Sequence, residues 1–128
     1  MAIEQYRVLR KSQQGEADAA LMYKKLAAVV KDEEDRKAFL RLACDETRHE
    51  SVFLGYTRKL AIPSPAKAIA VPFMYKTLGK EKTYPIIAKG EYEAAEKYKS
   101  VVKDFPEVEE VMNDEVHHGD AVMALLKK

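Results

Sequence analysis

The chain has a single cysteine, Cys44, no tryptophan, and only five glycines and five prolines among 128 residues. One cysteine excludes an internal disulfide, an all-cysteine metal cluster and CxxC redox chemistry, and it suits a reducing compartment. Neither sign of charge prevails. Twenty-two Lys+Arg stand against 21 Asp+Glu, a net charge of +1, so no global field draws the chain to nucleic acid or to an anionic membrane. No apolar run approaches the roughly 18 residues of a membrane span, and the first 16 residues lack the apolar stretch of a signal peptide. A cytoplasmic protein with no nucleic-acid and no membrane partner is therefore expected. Period-two alternation is also missing over any useful length, which leaves a sheet without support.

What is present is helical. At 47% hydrophobic and 34% charged residues, residues 1–128 should make one domain with a modest core. No glycine or proline falls between Glu16 and Ser51, whereas Pro63, Pro65, Pro72 and Pro85 crowd the middle. The pattern predicts a first helix over about 3–31 and a second over about 33–60, capped by Asp32. A crossover over 61–83 follows, holding a short helix from Ser64-Pro65 to Gly79 that bends or breaks at Pro72. Thr83 and Pro85 should open a third long helix over about 84–103. Asp104-Phe105-Pro106 should cap a fourth over about 106–127.

One internal repeat stands out. Gly15-Glu16-x-x-Ala19-x-x-x-Tyr23 matches Gly90-Glu91-x-x-Ala94-x-x-x-Tyr98, and each copy is followed by Glu-x-x-His: Glu46 with His49, then Glu115 with His118. The chain has only three histidines. At i, i+3 on a helix a carboxylate and an imidazole project from one face, as ligation of a shared ion requires. The third histidine, His117, offers a competing Asp114-x-x-His117 register, but its neighbours in the turn are charged.

Periodicity separates a solvated charged face from a buried site. Phe39, Leu42, Glu46, His49 and Phe53 step by three and four, so both polar residues lie within an apolar stripe. Val108, Val111, Glu115, His118 and Val122 do the same, as do Glu91 between Ile87 and Tyr98 and Glu16 between Leu9 and Tyr23. All six should face the core, whereas Glu50, Glu93, Glu96 and Glu110 should be solvated. Residues equidistant from a hairpin turn lie level. Glu16 pairs with Glu46 and His49 about the Asp32 turn, and Glu91 pairs with Glu115 and His118 about the Asp104 turn, to within about one helical turn. Four buried carboxylates need positive charge, and two divalent cations would balance them, with iron or manganese favoured over structural zinc by the oxygen-rich donors.

One glutamate from each of two helices plus Glu-x-x-His from each of two others is the ligand set of ferritin-like di-iron and di-manganese bundles. More narrowly, the doubled Gly-Glu-x-x-Ala-x-x-x-Tyr and Glu-x-x-His resembles the erythrin domain of rubrerythrins over most of the chain. The resemblance implies an all-α, ferritin-like antiparallel four-helix bundle with a long crossover containing a short extra helix. It also implies two iron ions held by Glu16, Glu46, His49, Glu91, Glu115 and His118, with manganese or a mixed pair satisfying the same donors. Tyr23 and Tyr98 would then lie beside the ions and hydrogen-bond to ligand carboxylates. Two departures are visible. Ala94 stands where the family usually has a further glutamate, and the four cysteines of an appended rubredoxin domain are missing.

The expected function is that of a di-iron oxidoreductase, oxidising Fe(II) with O2 or reducing hydrogen peroxide, served by an external donor such as a separate rubredoxin-like protein. The alternatives are a non-catalytic iron-storage module and a helical interaction protein without metal. The apolar Ala61–Ile87 stretch can cover the bundle or exchange with a partner subunit, so a homodimer is expected. Cys44 should be a small buried residue.

Overall fold

A computed structural model describes residues 1–127. They form α1 (Ile3–Ala27), α2 (Glu33–Thr57), α3 (Ala66–Leu78), α4 (Lys80–Tyr98) and α5 (Glu107–Ala124), followed by a 3-10 turn over Leu125–Lys127. No strand occurs among the described residues, and no helix there is long and apolar enough to cross a membrane. α1 packs on α2 as one hairpin and α4 on α5 as the other. α3 is the crossover and lies along α1, tied by the Ser64 amide donating to Asp18 at 2.7 Å and the Lys31 amide donating to the Tyr75 hydroxyl at 3.1 Å.

Burial follows the stripes. One apolar cluster gathers Tyr23, Leu26, Phe39, Leu42, Tyr84 and Val122, and a second gathers Leu9, Phe53, Tyr98, Val101, Val108 and Val111. A layer of buried carboxylates and imidazoles separates them, contributed by the middle of each long helix. The apolar layers fix the helix rotations, and those rotations aim the polar layer inward.

Helix ends depart from the sequence expectation for local reasons. Asp32 does cap α2, accepting from the Glu34 amide at 2.8 Å and the Asp35 amide at 3.3 Å. α2 stops at Thr57 rather than near Leu60 because Arg58 adopts the left-handed conformation at φ 57°. The carbonyl of Lys59 instead accepts from Arg10 and Gln13 of α1. α3 continues through Pro72 to Leu78 rather than breaking there. α4 starts at Lys80, before Thr83 and Pro85, because Gly79 at φ 81° ends α3 and begins α4 in one residue. Pro85 therefore sits inside the helix and forfeits one ladder hydrogen bond. α4 ends at Tyr98, and successive turns carry Val101 and Phe105 into the core before α5 begins. Asp104 does not cap α5, since its carboxylate accepts from Gln5 of α1, and Pro106 stands at the N-cap.

Candidate metal centre

Each long helix brings its glutamate to the central layer, and α2 and α5 add a histidine one turn on. Glu16, Glu46, His49, Glu91, Glu115 and His118 are all at most 5% exposed. Glu46 Oε1 lies 3.2 Å from His49 Nδ1 and 3.1 Å from His118 Nδ1. Glu115 Oε1 lies 3.0 and 3.5 Å from the same two nitrogens. These two carboxylates thus stand between the rings. Glu16 is at the His49 end, 3.3 Å from Nδ1, and Glu91 at the His118 end, 3.7 Å from Nδ1. The ring centroids are 5.4 Å apart, and donor atoms from Glu46, His49, Glu115 and His118 all lie within 4.8 Å of one another.

The outward nitrogen of each histidine is held from the opposite hairpin. His49 Nε2 meets Asp114 at 2.8 Å and His118 Nε2 meets Asp45 at 3.0 Å. Arg48 reaches both aspartates, at 3.2 Å to Asp45 and 3.4 Å to Asp114. Engaging Nε2 in this way turns Nδ1 inward, and once the ring gives up its second proton the lone pair is left at Nδ1. Tyr23 donates to Glu91, and Tyr98 donates to Glu16 at 3.1 Å, so each tyrosine orients the glutamate of the other hairpin.

Electrostatics show how the layer balances its charge on protons. Burial, reinforced by the charge of Glu46, holds Glu16 well above the usual carboxylate range. Burial likewise pushes Glu91 up to about 8. Burial alone would also raise Glu115, but His118 and His49 beside it hold it at about 2. Burial disfavours an imidazolium at His49, yet the Glu115, Glu16 and Glu46 carboxylates override it and push the ring to about 12. His118 is raised in the same way by Glu115, Glu46 and Glu91 against its own burial.

Donor chemistry tests whether metal ions suit this layer. Glu46 Oε1, His49 Nδ1, Glu91 Oε1, Glu115 Oε1 and His118 Nδ1 are buried and have no hydrogen-bond partner among the described residues. They approach one another closely without the angles of hydrogen bonds. Five such atoms, each costing about 1–3 kcal/mol when unsatisfied, converge from α2, α4 and α5 beside Glu16 of α1. Divalent cations accept every one of these lone pairs, and the oxygen-rich set with two imidazoles suits iron or manganese. The residues present therefore fit a dinuclear site.

The six residues singled out in the sequence are brought together here, and both tyrosines touch the carboxylates of the layer. His117 is exposed, as are Glu93, Glu96 and Glu110. Glu50 departs from the solvated reading: it is half-buried and accepts from Gln13 at 2.8 Å. Cys44 is exposed rather than buried, because it lies two residues before Glu46 and so about 200° round the helix from the inward stripe. Asp45, Asp114 and Arg48 were not singled out as partners of the layer. Their signal was in the sequence, since Asp immediately precedes Glu in both copies: Asp45-Glu46-x-x-His49 and Asp114-Glu115-x-x-His118.

The layer borders a cleft on each side, and the one between α2 and α5, of about 410 Å³, is lined by Asp45 and His118. Between α1 and α4 lies a cleft of about 440 Å³ that reaches Glu16, Glu46, Glu91 and Glu115.

Among protein families, the rubrerythrin family model matches residues 7–126. Neither a curated protein nor a solved structure matches the chain.

Proposed function

We propose, on the premise that this chain belongs to the rubrerythrin family, that it is a di-iron carboxylate oxidoreductase which oxidises Fe(II) with O2 or reduces hydrogen peroxide. The observation that carries this reading is the convergence on one layer of five buried donor atoms with no hydrogen-bond partner among the described residues. Two iron ions bound there would supply two one-electron steps, matching the two electrons that convert hydrogen peroxide to water.

The chain's own residues do the rest. Glu46 and Glu115 stand where a carboxylate can be shared by two ions, and Glu16 with His49 and Glu91 with His118 make the two ends. Asp114 and Asp45 hold the imidazoles in line. Tyr98 and Tyr23 hold Glu16 and Glu91 by donating hydrogen bonds, and burial with the neighbouring carboxylates keeps the proton on each hydroxyl. The apolar clusters above and below keep water from the ends of the layer. Oxidant enters from the α1–α4 side in this reading, and an external electron donor, a separate rubredoxin-like protein, restores the reduced state. A homodimer belongs to the same reading: Ile69 and Phe73 are 68% and 67% exposed on α3, beside exposed Ile62.

Anaerobic loading with Fe(II) followed by elemental analysis should give about two ions per chain, and stopped-flow mixing with hydrogen peroxide or O2 should then oxidise them. No bound iron after loading overturns the reading. Analytical ultracentrifugation showing a monomer throughout the micromolar range removes the dimer.

A further inference from the structure

The α1–α4 cleft is larger than dioxygen or peroxide requires. At about 440 Å³ it falls within the range of pockets that hold organic ligands, roughly 300–1,000 Å³. It is also built from residues that make room. Gly15 and Ala19 on α1 face Gly90 and Ala94 on α4, and a Cβ placed on either glycine would meet nothing within 4 Å. Ala94 adds to this space where a glutamate would fill it.

The cleft is polar at one end and apolar at the other. Tyr98 meets Glu16, and Tyr23 meets Glu91, so α1 and α4 run antiparallel. Lys11 and Ser12 of α1 therefore share one end with Lys97 of α4. Met22 shares the other end with Ile86 and Ile87, closed by Val71 of α3. Lys67, one turn before Val71 on α3, adds a third cation, against Glu93 at the rim and the buried Glu16, Glu46, Glu91 and Glu115 on the floor. Ser12 supplies an independent sign of a ligand. It is 5% exposed, it lines the cleft, and its hydroxyl has no hydrogen-bond partner among the described residues. A buried hydroxyl left unpaired costs roughly 1–3 kcal/mol, which a ligand's polar group would offset.

We propose that this cleft binds an organic monoanion with an unbranched apolar body, its anionic head at Lys11, Ser12 and Lys97 and its tail against Met22, Val71, Ile86 and Ile87. Ten helical residues separate Ser12 from Met22, about 15 Å at a rise of 1.5 Å per residue, and a chain of about ten carbons spans most of that length. The middle of such a chain lies over Glu16 and Glu91. Its effect on oxidation rests on the di-iron reading above, whereas its binding uses none of the residues assigned to the ions.

Decanoate is the probe, titrated calorimetrically into the full chain, metal-free and iron-loaded. One decanoate should bind per chain, and uncharged decanol should bind about tenfold more weakly. Ala94→Phe, which fills the cleft, should abolish binding. The triple variant Lys11→Ser, Lys67→Ser, Lys97→Ser should weaken it about tenfold. All three lysines are exposed, so this variant tests the proposal even if Ala94→Phe does not fold. Absence of saturable binding, or decanoate binding unchanged by the lysine variant, overturns the proposal. Iron content is measured on the same samples. Iron uptake without decanoate binding overturns this inference alone, and decanoate binding without iron uptake overturns the di-iron reading alone.

Discussion

The two faces of the carboxylate–histidine layer each carry two of its glutamates, yet one is tied across by aspartate–histidine pairs and the other has open space beside its backbone. On the α2–α5 face the residue before each layer glutamate is an aspartate, and Asp45 and Asp114 reach across to the histidine of the other hairpin, with Arg48 bridging them. On the α1–α4 face the residue before each glutamate is a glycine, Gly15 or Gly90, and the space beside it is empty of neighbours. A single position, one residue ahead of the ligand candidate, thus decides whether the backbone beside the layer carries a positioning group or leaves open space. The imidazoles are held on the aspartate face, and the glycine face leaves space beside the backbone.

The sharpest test of that comparison removes the carboxylates that stand between the two ends. Glu46→Ala or Glu115→Ala should drop iron from about two ions per chain to nearly none, while Glu16→Ala or Glu91→Ala should leave about one. Elemental analysis with circular dichroism checks this, and helicity should survive because the apolar clusters are untouched. On the tied face, Asp114→Ala or Asp45→Ala should weaken metal binding about 10–100-fold without changing stoichiometry. Tyr98→Phe or Tyr23→Phe, on the open face, should weaken it less. A chelator-competition titration that reverses this order would break the comparison.

Acid should loosen the ions next. His49 is pushed up to about 12 and Glu91 to about 8 in the metal-free layer, so both carry protons at neutral pH, and ions must displace them. Affinity should therefore rise with pH and fall as pH is lowered, by about tenfold per unit for each proton released. An indicator dye in weak buffer reads the released protons directly. The smallest effect concerns the glycines. Gly90→Ala or Gly15→Ala should raise stability by about 0.4–1 kcal/mol in urea, since each lies within a helix with open space beside it. Gly119→Ala should lower it, because its Cβ would fall 2.6 Å from the Tyr92 ring. A loss of stability at Gly90 would mean that the open face is a packing requirement rather than an access route.

Much of the candidate site could be read from one dimension because its information is periodic. Glu46 and His49 interrupt an apolar stripe at helical spacing, so the burial of Phe39 and Phe53 forces them inward, and the same holds for Glu115 and His118 between Val111 and Val122. Hairpin arithmetic placed Glu16 level with His49, and the two groups approach to 3.3 Å. Asp114 was weighed only against His117, its neighbour one turn on, whereas its partner His49 lies on another helix. Pairing across hairpins depends on how the two are rotated against each other, and no spacing within one helix encodes that. Cys44 was misplaced because the habit of its residue type was given more weight than its angle on α2.

Helical periodicity and the doubled motif were enough to establish an all-helical bundle, its inward faces and the residues of its polar layer, because each follows from the fixed angle between successive residues of a helix. The tertiary structure alone decided which oxygens lie between the two rings, which aspartate holds which histidine, and that α1 and α4 stand apart with the Ser12 hydroxyl in the cleft between them. Those features depend on distances between helices, and such distances are set by the packing of every side chain at the interface together.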